Sequence, residues 1–75
     1  MKQNLFSQLI LFNGKLYKLK TYKLFTLTNL LTFFNLQKDS IVLEHNGRVL
    51  RTEDWEFYKL KTKDKIETIT IVGGG

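Results

Sequence analysis

The sequence contains no cysteine and no proline. Without thiols there is neither a disulfide framework nor a thiolate zinc site to support a fold, and no thiol nucleophile, so stability has to come from packing alone. No Pro-rich or Ser-rich linker divides the chain. Long apolar runs are missing as well: the longest, residues 9–12, is far below the ~20 residues that span a bilayer. Residues 1–7 hold Lys2 but no apolar stretch followed by small residues, so no signal peptide is expected and the expected site of work is intracellular. At 75 residues, a domain buries only about 60% of the surface of its unfolded chain. A deep active site would compete with the core for the same side chains, so a stand-alone enzyme is not expected.

What is present describes one small folded unit: 43% of residues are hydrophobic, too many for a disordered chain. Twelve Lys and Arg against seven Asp and Glu leave a net charge of +5, which permits contact with nucleic acid or an acidic protein surface and decides neither. The lysines at 15, 18, 20 and 23, and again at 59, 61, 63 and 65, recur at spacings near two. They read as a solvated face, and lysines on an edge strand guard against edge-to-edge pairing. The aromatic residues form no stacking platform, since Phe33 and Phe34 fall in a helical pattern and Tyr17, Tyr22 and Tyr58 are scattered.

The local patterns give an order of elements. Residues 9–12 and 15–20 are two extended runs joined by Asn13-Gly14, the dipeptide that accepts positive φ at both central turn positions. From Thr26, whose hydroxyl can cap a first turn, Leu27, Leu30, Leu31 and Phe34 form one apolar helical stripe. Asn35 suits the left-handed position that ends such a helix, after which Leu36 can fold back onto the core. Thr28 and Thr32 lower the helix propensity, so this helix depends on a sheet beneath it. Residues 41–45 and 48–51 are a second hairpin about Asn46-Gly47. Residues 52–55 suggest a short helical turn that plugs Trp55 under a loop. Residues 63–65 read as a turn, and the last strand is expected over 66–72. Ile66 there has the opposite parity to Ile69 and Ile71, which hints at a bulge or an irregular start. His45 is a lone histidine without cysteine partners, so a cross-strand surface position is expected rather than a metal ligand.

Two strands, a helix, two strands, a short helical turn and a last strand are the order of an α+β β-grasp domain, a mixed sheet of about five strands with one main helix on one face. The expected organisation is an N-terminal extension at 1–8, the domain at 9–72 and a flexible glycine tail at 73–75. Gly73, Gly74 and Gly75 have no side chains to pack, so they add nothing to stability. Terminal glycines can be a frayed end without a role. A tail without Cβ atoms that directly follows the last strand of such a domain can instead thread a narrow channel and deliver its carboxylate into another protein's active site.

Several stretches together resemble the thiamine-biosynthesis sulfur carriers, ThiS-type ubiquitin-like proteins. They are Ile10-Leu11-Phe12-Asn13-Gly14, Thr26-Leu27 with Leu30-Leu31, Asn46-Gly47 through Val49 and Arg51 to Trp55, and Asp64-Lys65-Ile66-Glu67 running on to Val72-Gly73-Gly74-Gly75. The departures are the N-terminal extension, Asn35 where glycine is common, and an unusually basic surface. The resemblance implies a carrier and not a catalyst. An E1-like enzyme would use ATP to adenylate the Gly75 carboxylate, and sulfur from a cysteine desulfurase persulfide would displace AMP. The thiocarboxylate would then surrender its sulfur in thiazole synthase. Gly73 and Gly74 would supply the slim approach, and no bound cofactor, metal or membrane is implied. The rivals are the small subunit of molybdopterin synthase, which shares fold and tail, another ubiquitin-like carrier, and a small basic nucleic-acid-binding module. The Asn46-Gly47 to Trp55 segment looks more like the thiamine carrier, and nucleic acid is not the expected partner. Richness in Lys, Asn, Phe, Leu and Ile is what AT-rich coding gives, so the expected location is the cytoplasm, or the stroma for a plastid-encoded chain.

Overall fold

Both Asn-Gly pairs turn the chain as their chemistry dictates. In the computed structural model, which describes residues 5–71, β1 (Phe6–Phe12) pairs antiparallel with β2 (Lys15–Thr21), and β3 (Ile41–His45) with β4 (Arg48–Leu50). Asn13 and Asn46 sit at φ of 50° and 51°, Gly14 and Gly47 at 80° and 86°, the left-handed values that favour Asn and Gly in two-residue hairpins. The last strand, β5 (Lys65–Thr70), lies between the hairpins, parallel to β1 and antiparallel to β3, giving the sheet order β2-β1-β5-β3-β4.

Each asparagine also fastens its hairpin to β5. Asn13 Oδ1 accepts from the Thr68 amide at 2.7 Å, and Asn46 Oδ1 accepts from the Lys65 amide at 2.8 Å. The turn residue is therefore chosen twice, once for its backbone and once for a side chain that replaces a missing ladder bond.

The helix α1 (Leu27–Phe33) lies against one face of this sheet and buries Leu27, Leu30 and Leu31. Thr26 caps it by accepting from the Asn29 amide at 3.1 Å, and the Asn29 side chain returns a bond to the Thr26 amide at 2.9 Å. This is a reciprocal capping box, with Asn29 in the place of the usual Glu or Gln. At the other end Asn35 adopts φ 57°, with the Asn35 amide on the Thr32 carbonyl and the Leu36 amide on the Leu31 carbonyl. That pair of bonds is a Schellman closure, and Leu36 packs on the core as its position required. Phe34, just past the last helical residue, stacks on Phe12 with ring centroids 4.4 Å apart.

The remaining core side chains come from the sheet and the connection that precedes β5. Ile10, Phe12, Leu19, Ile41, Leu43 and Ile66 face the helix, joined by Trp55 and Leu60. Trp55 is the plug expected of it, 1% exposed, with its indole N–H on the Leu50 carbonyl at 3.1 Å.

Three expectations are corrected. β1 begins at Phe6, not Leu9, so Phe6, Ser7 and Gln8, expected in an extension ending at residue 8, pair with β2. β5 carries no bulge against β3, because its register runs unbroken from His45↔Ile66 to Ile41↔Thr70. Ile66 and Ile69 differ in parity because they serve opposite faces of the sheet, Ile66 the core and Ile69 the open side. The turn before β5 sits one residue earlier, with Lys63 at φ 74°, and Asp64 is a buried residue. Met1 to Asn4 and Val72 to Gly75, hence the expected end of the last strand and the expected mobility of the tail, lie outside the described residues.

Candidate functional site

β5 is a central strand, and it carries the chain toward its C-terminus. Its pairing extends one residue past the strand, where the Ile71 amide donates to the Ser40 carbonyl at 2.8 Å. Ser40 closes a short 3-10 turn, Lys38–Ser40, that leads into β3. The root of the tail is thus tied to the sheet at Ile71. Gly73, Gly74 and Gly75, expected to carry the chemistry, lie beyond the described residues.

The sheet face away from α1, which runs the length of the sheet and includes that root, carries no helix among the described residues. Leu9, Leu16, Val49, Ile69 and Ile71 are exposed there, and Leu11 and Val42 lie half-buried between them. The ladder confirms one face: Leu11 stands opposite Leu16, and Val42 opposite Ile69. Lys18 and Lys65 occupy the same face, Lys65 paired with Glu67 at 3.2 Å. Glu67 also stands opposite Glu44, a like-charge pair that costs stability unless a cation is near. An exposed apolar sheet face with charges set into it marks a protein-binding surface.

At the opposite end of β3 the structure corrects the expectation for His45. Its side chain is only 15% exposed, and its Nε2 lies 3.1 Å from Asp64 Oδ1 and 2.7 Å from the Tyr58 hydroxyl. Asp64 is itself buried, and its Oδ2 accepts from the Lys61 amide at 2.8 Å. Burial first, then the charge of Asp64 and the hydrogen bond to it, raises the Tyr58 phenol above its ordinary range. The cluster ties the connection before β5 to the second hairpin. It is a structural clasp, and among the described residues no group of three His, Asp or Glu side chains is placed to hold a metal.

Arg51, singled out with Trp55, starts the 3-10 turn Thr52–Asp54, and its guanidinium pairs with Glu53. That hydrogen bond and charge hold the Glu53 carboxyl below and the Arg51 guanidinium above their usual values. Both side chains are largely exposed, so the pair shapes the turn more than it stabilises the fold. Among the described residues no helix is long and apolar enough to cross a membrane.

Among the described residues, a five-stranded mixed sheet with one α-helix on one face, whose last strand is central between the two hairpins, defines a β-grasp protein of the ubiquitin-like class. Within that class the chain belongs to the ThiS family, whose model matches residues 10–75 and so runs through the final glycine. The crystal structure of a thiamine biosynthesis protein (ThiS) from Geobacter metallireducens is similar at a TM-score of 0.78 and 28% identity, covering 91% of this chain and 100% of that one. A solution structure of a thiamine biosynthesis protein from the same organism gives 0.73 and 28%, covering 91% and 88%. The uncharacterized protein ycf40 of Trieres chinensis is 38% identical over 63 residues, 84% of each chain.

Proposed function

We propose that this ThiS-family protein is a sulfur carrier for thiazole formation in thiamine biosynthesis, with the Gly75 carboxylate as its reactive group. The single observation that carries the reading is the family match extending through Gly75, on a chain whose last strand is held to the sheet as far as Ile71. A carboxylate is a poor electrophile. An E1-like enzyme using ATP would convert it to an acyl-adenylate; the outer sulfur of a cysteine desulfurase persulfide would displace AMP to give an acyl disulfide, and a second thiol, itself ending in a disulfide with the desulfurase cysteine, would cleave that bond to leave a terminal thiocarboxylate. Gly73 and Gly74, lacking Cβ atoms, would let the end enter the narrow sites of that enzyme and of thiazole synthase. A chain without cysteine can hold transferable sulfur only at this terminus. The protein is then a co-substrate of its partners, acting in the cytoplasm or, for a plastid-encoded chain, in the stroma.

The open sheet face supplies what the tail cannot, namely area to bind. Three glycines offer little surface, whereas Ile69 and Ile71 lie exposed at the tail root, with Val49 on the same face two strands across, where a partner holding the tail would cover them.

The test is the intact mass after incubation with ATP, a cognate E1-like enzyme and a sulfur donor. Replacement of one oxygen by sulfur is expected, located in the C-terminal peptide and lost when Gly75 is deleted or the chain is extended beyond it. Failure to form any adenylate, together with tight RNA binding at physiological salt, overturns the reading.

A further inference from the structure

A groove lies at the other end of the sheet from Ile71. β1 and β5 run parallel with Phe12 level with Ile66, so Ser7 lies five residues behind that point and Ile71 five ahead. At ~3.3 Å per residue the two are roughly 33 Å apart. Because β5 starts only at Lys65, it leaves the first half of β1 without a strand neighbour on that side. The connection running into β5 takes the place incompletely: the Lys63 amide donates to the Leu9 carbonyl at 2.6 Å, and the Leu9 amide to Thr62 Oγ1 at 3.0 Å. Between Phe6 to Gln8 on one bank and Lys59 to Thr62 on the other is a groove of about 500 Å³. The Gln8 side chain spans it, donating to the Leu60 carbonyl at 2.7 Å.

Three properties of this groove point to one kind of occupant. Backbone direction comes first. The amides of Leu9 and Leu11 point away from β2, since they bond Thr62 and Asp64. By the alternation of an antiparallel pair, the N–H and C=O of Ser7 point the same way, into the groove, and neither has a backbone partner among the described residues. Apolar lining is second: Phe6 and Leu24 are 40% and 36% exposed there, beside buried Leu60. Charge is third. Lys59 and Lys61 stand exposed on the bank and make no ion pair among the described residues, and the sequence holds no Asp or Glu before Asp39. The exposed charge of this end is cationic: the nearest carboxylate, Asp64, is buried against His45, Tyr58 and the Lys61 amide, and the other acidic residues lie in or beside β3, in β5, or in the turn that carries Trp55.

We propose that this groove is a docking site for an extended acidic segment of a partner protein, which pairs its backbone with Ser7, sets an apolar side chain on Phe6 and Leu24, and places carboxylates against Lys59 and Lys61. Addition of a strand to an open edge gives main-chain affinity, and the alternate side chains give selectivity. The site is roughly 33 Å along the sheet from Ile71, so a partner held here leaves the root of the tail accessible. Nucleic acid fits less well, because the groove offers one backbone edge and two lysines with no stack of aromatic faces.

The probe is an acetylated, amidated peptide of four Glu-Val repeats, titrated into the full 15N-labelled chain and followed by amide shifts. Shifts are expected at residues 6–8, 24 and 59–62, with those of residues 73–75 unmoved. The Lys59→Glu/Lys61→Glu variant should keep a dispersed spectrum, since both side chains are exposed, and bind at least tenfold more weakly. The Lys-Val counterpart should not bind. The proposal is overturned by an absence of shifts at the groove, by shifts spread over the open sheet face instead, or by an eight-nucleotide oligothymidine that binds as tightly. It is equally overturned if the groove signals move on deletion of residues 1–4 or with protein concentration in the absence of peptide, which would make the occupant this chain itself. Adenylation of Gly75 is expected to proceed unchanged with the peptide bound, so failure of either reading is visible without the other.

Discussion

On the sheet face under α1, Ile10, Ile41, Leu43 and Ile66 are 0–8% exposed, whereas on the opposite face Leu16, Val49, Ile69 and Ile71 are 50–65% exposed. The residue types are the same. The difference lies in what covers them, since one helix can shield only one side of one sheet. A 75-residue chain that leaves branched apolar side chains in water on a whole face is not using them for its own stability. The covered face therefore accounts for folding, the open face is the one we propose for association, and the strand β5 belongs to both, Ile66 on one side and Ile69 on the other. The first way to break this division is at the helix. Leu30→Ala or Leu31→Ala should cost about 2–5 kcal/mol, as buried leucines do, read as a shift in the denaturation midpoint. Both variants lying within about 0.5 kcal/mol of wild type, the range of surface substitutions, would deny the helix its place over the core.

The open face should behave in the opposite way. Val49→Thr combined with Ile69→Thr keeps the β-branched shape that strands favour and removes apolar surface where water already reaches. Stability should move by no more than about 0.5 kcal/mol, while affinity for the E1-like enzyme falls roughly tenfold, equivalent to about 1.4 kcal/mol. Calorimetric titration of both proteins reads the second quantity and chemical denaturation the first. A double variant that unfolds, or that binds its partner with undiminished affinity, erases the distinction between the two faces.

How much of this was legible follows the range of each interaction. The hairpins at Asn13-Gly14 and Asn46-Gly47, the stripe of Leu27, Leu30 and Leu31, and the left-handed Asn35 are set by neighbours within a turn or two, so the pattern disclosed them. Trp55 was legible because so small a core has little else of that volume. Leu60 was not anticipated, and neither was the bridge of Lys59 to Thr26, because the connection before β5 has neither period. Its amides find partners far away in sequence, Lys63 on the Leu9 carbonyl and Leu60 on the Phe25 carbonyl. The start of β1 was missed for a related reason. Phe6, Ser7 and Gln8 do not alternate cleanly, and pairing with β2 decides their conformation. Asn29 was overlooked because a capping box is usually completed by Glu or Gln. The tail was legible from composition, and the open face was not: the opposite parity of Ile66 to Ile69 and Ile71 suggests a bulge in the sequence, and only the unbroken register with β3 shows that it marks a second, uncovered apolar side.

His45 is the clearest case of a residue whose role depends on distant chain, and it supplies the smallest test. In the sequence it is one histidine in a strand. In the fold, Tyr58 and Asp64 meet it from the connection before β5, at 2.7 Å and 3.1 Å, and this clasp belongs to the covered side of the comparison. Tyr58 keeps its proton to higher pH in the folded protein than an exposed tyrosine does, because burial and the nearby carboxylate both disfavour the phenolate. The sign follows from linkage. A group whose folded pKa lies above its unfolded value of about 10 contributes its stability fully below that value and loses it as pH rises toward the folded one. Tyr58→Phe removes the titration together with the hydroxyl contacts, at a cost near neutrality of about 0.5–1.5 kcal/mol, the net worth of such a hydrogen bond. The stability gap between wild type and Tyr58→Phe, measured by chemical denaturation across the alkaline range, should therefore narrow as pH passes about 10. A gap that stays constant would mean that the phenol meets water freely and that the clasp does not close over it.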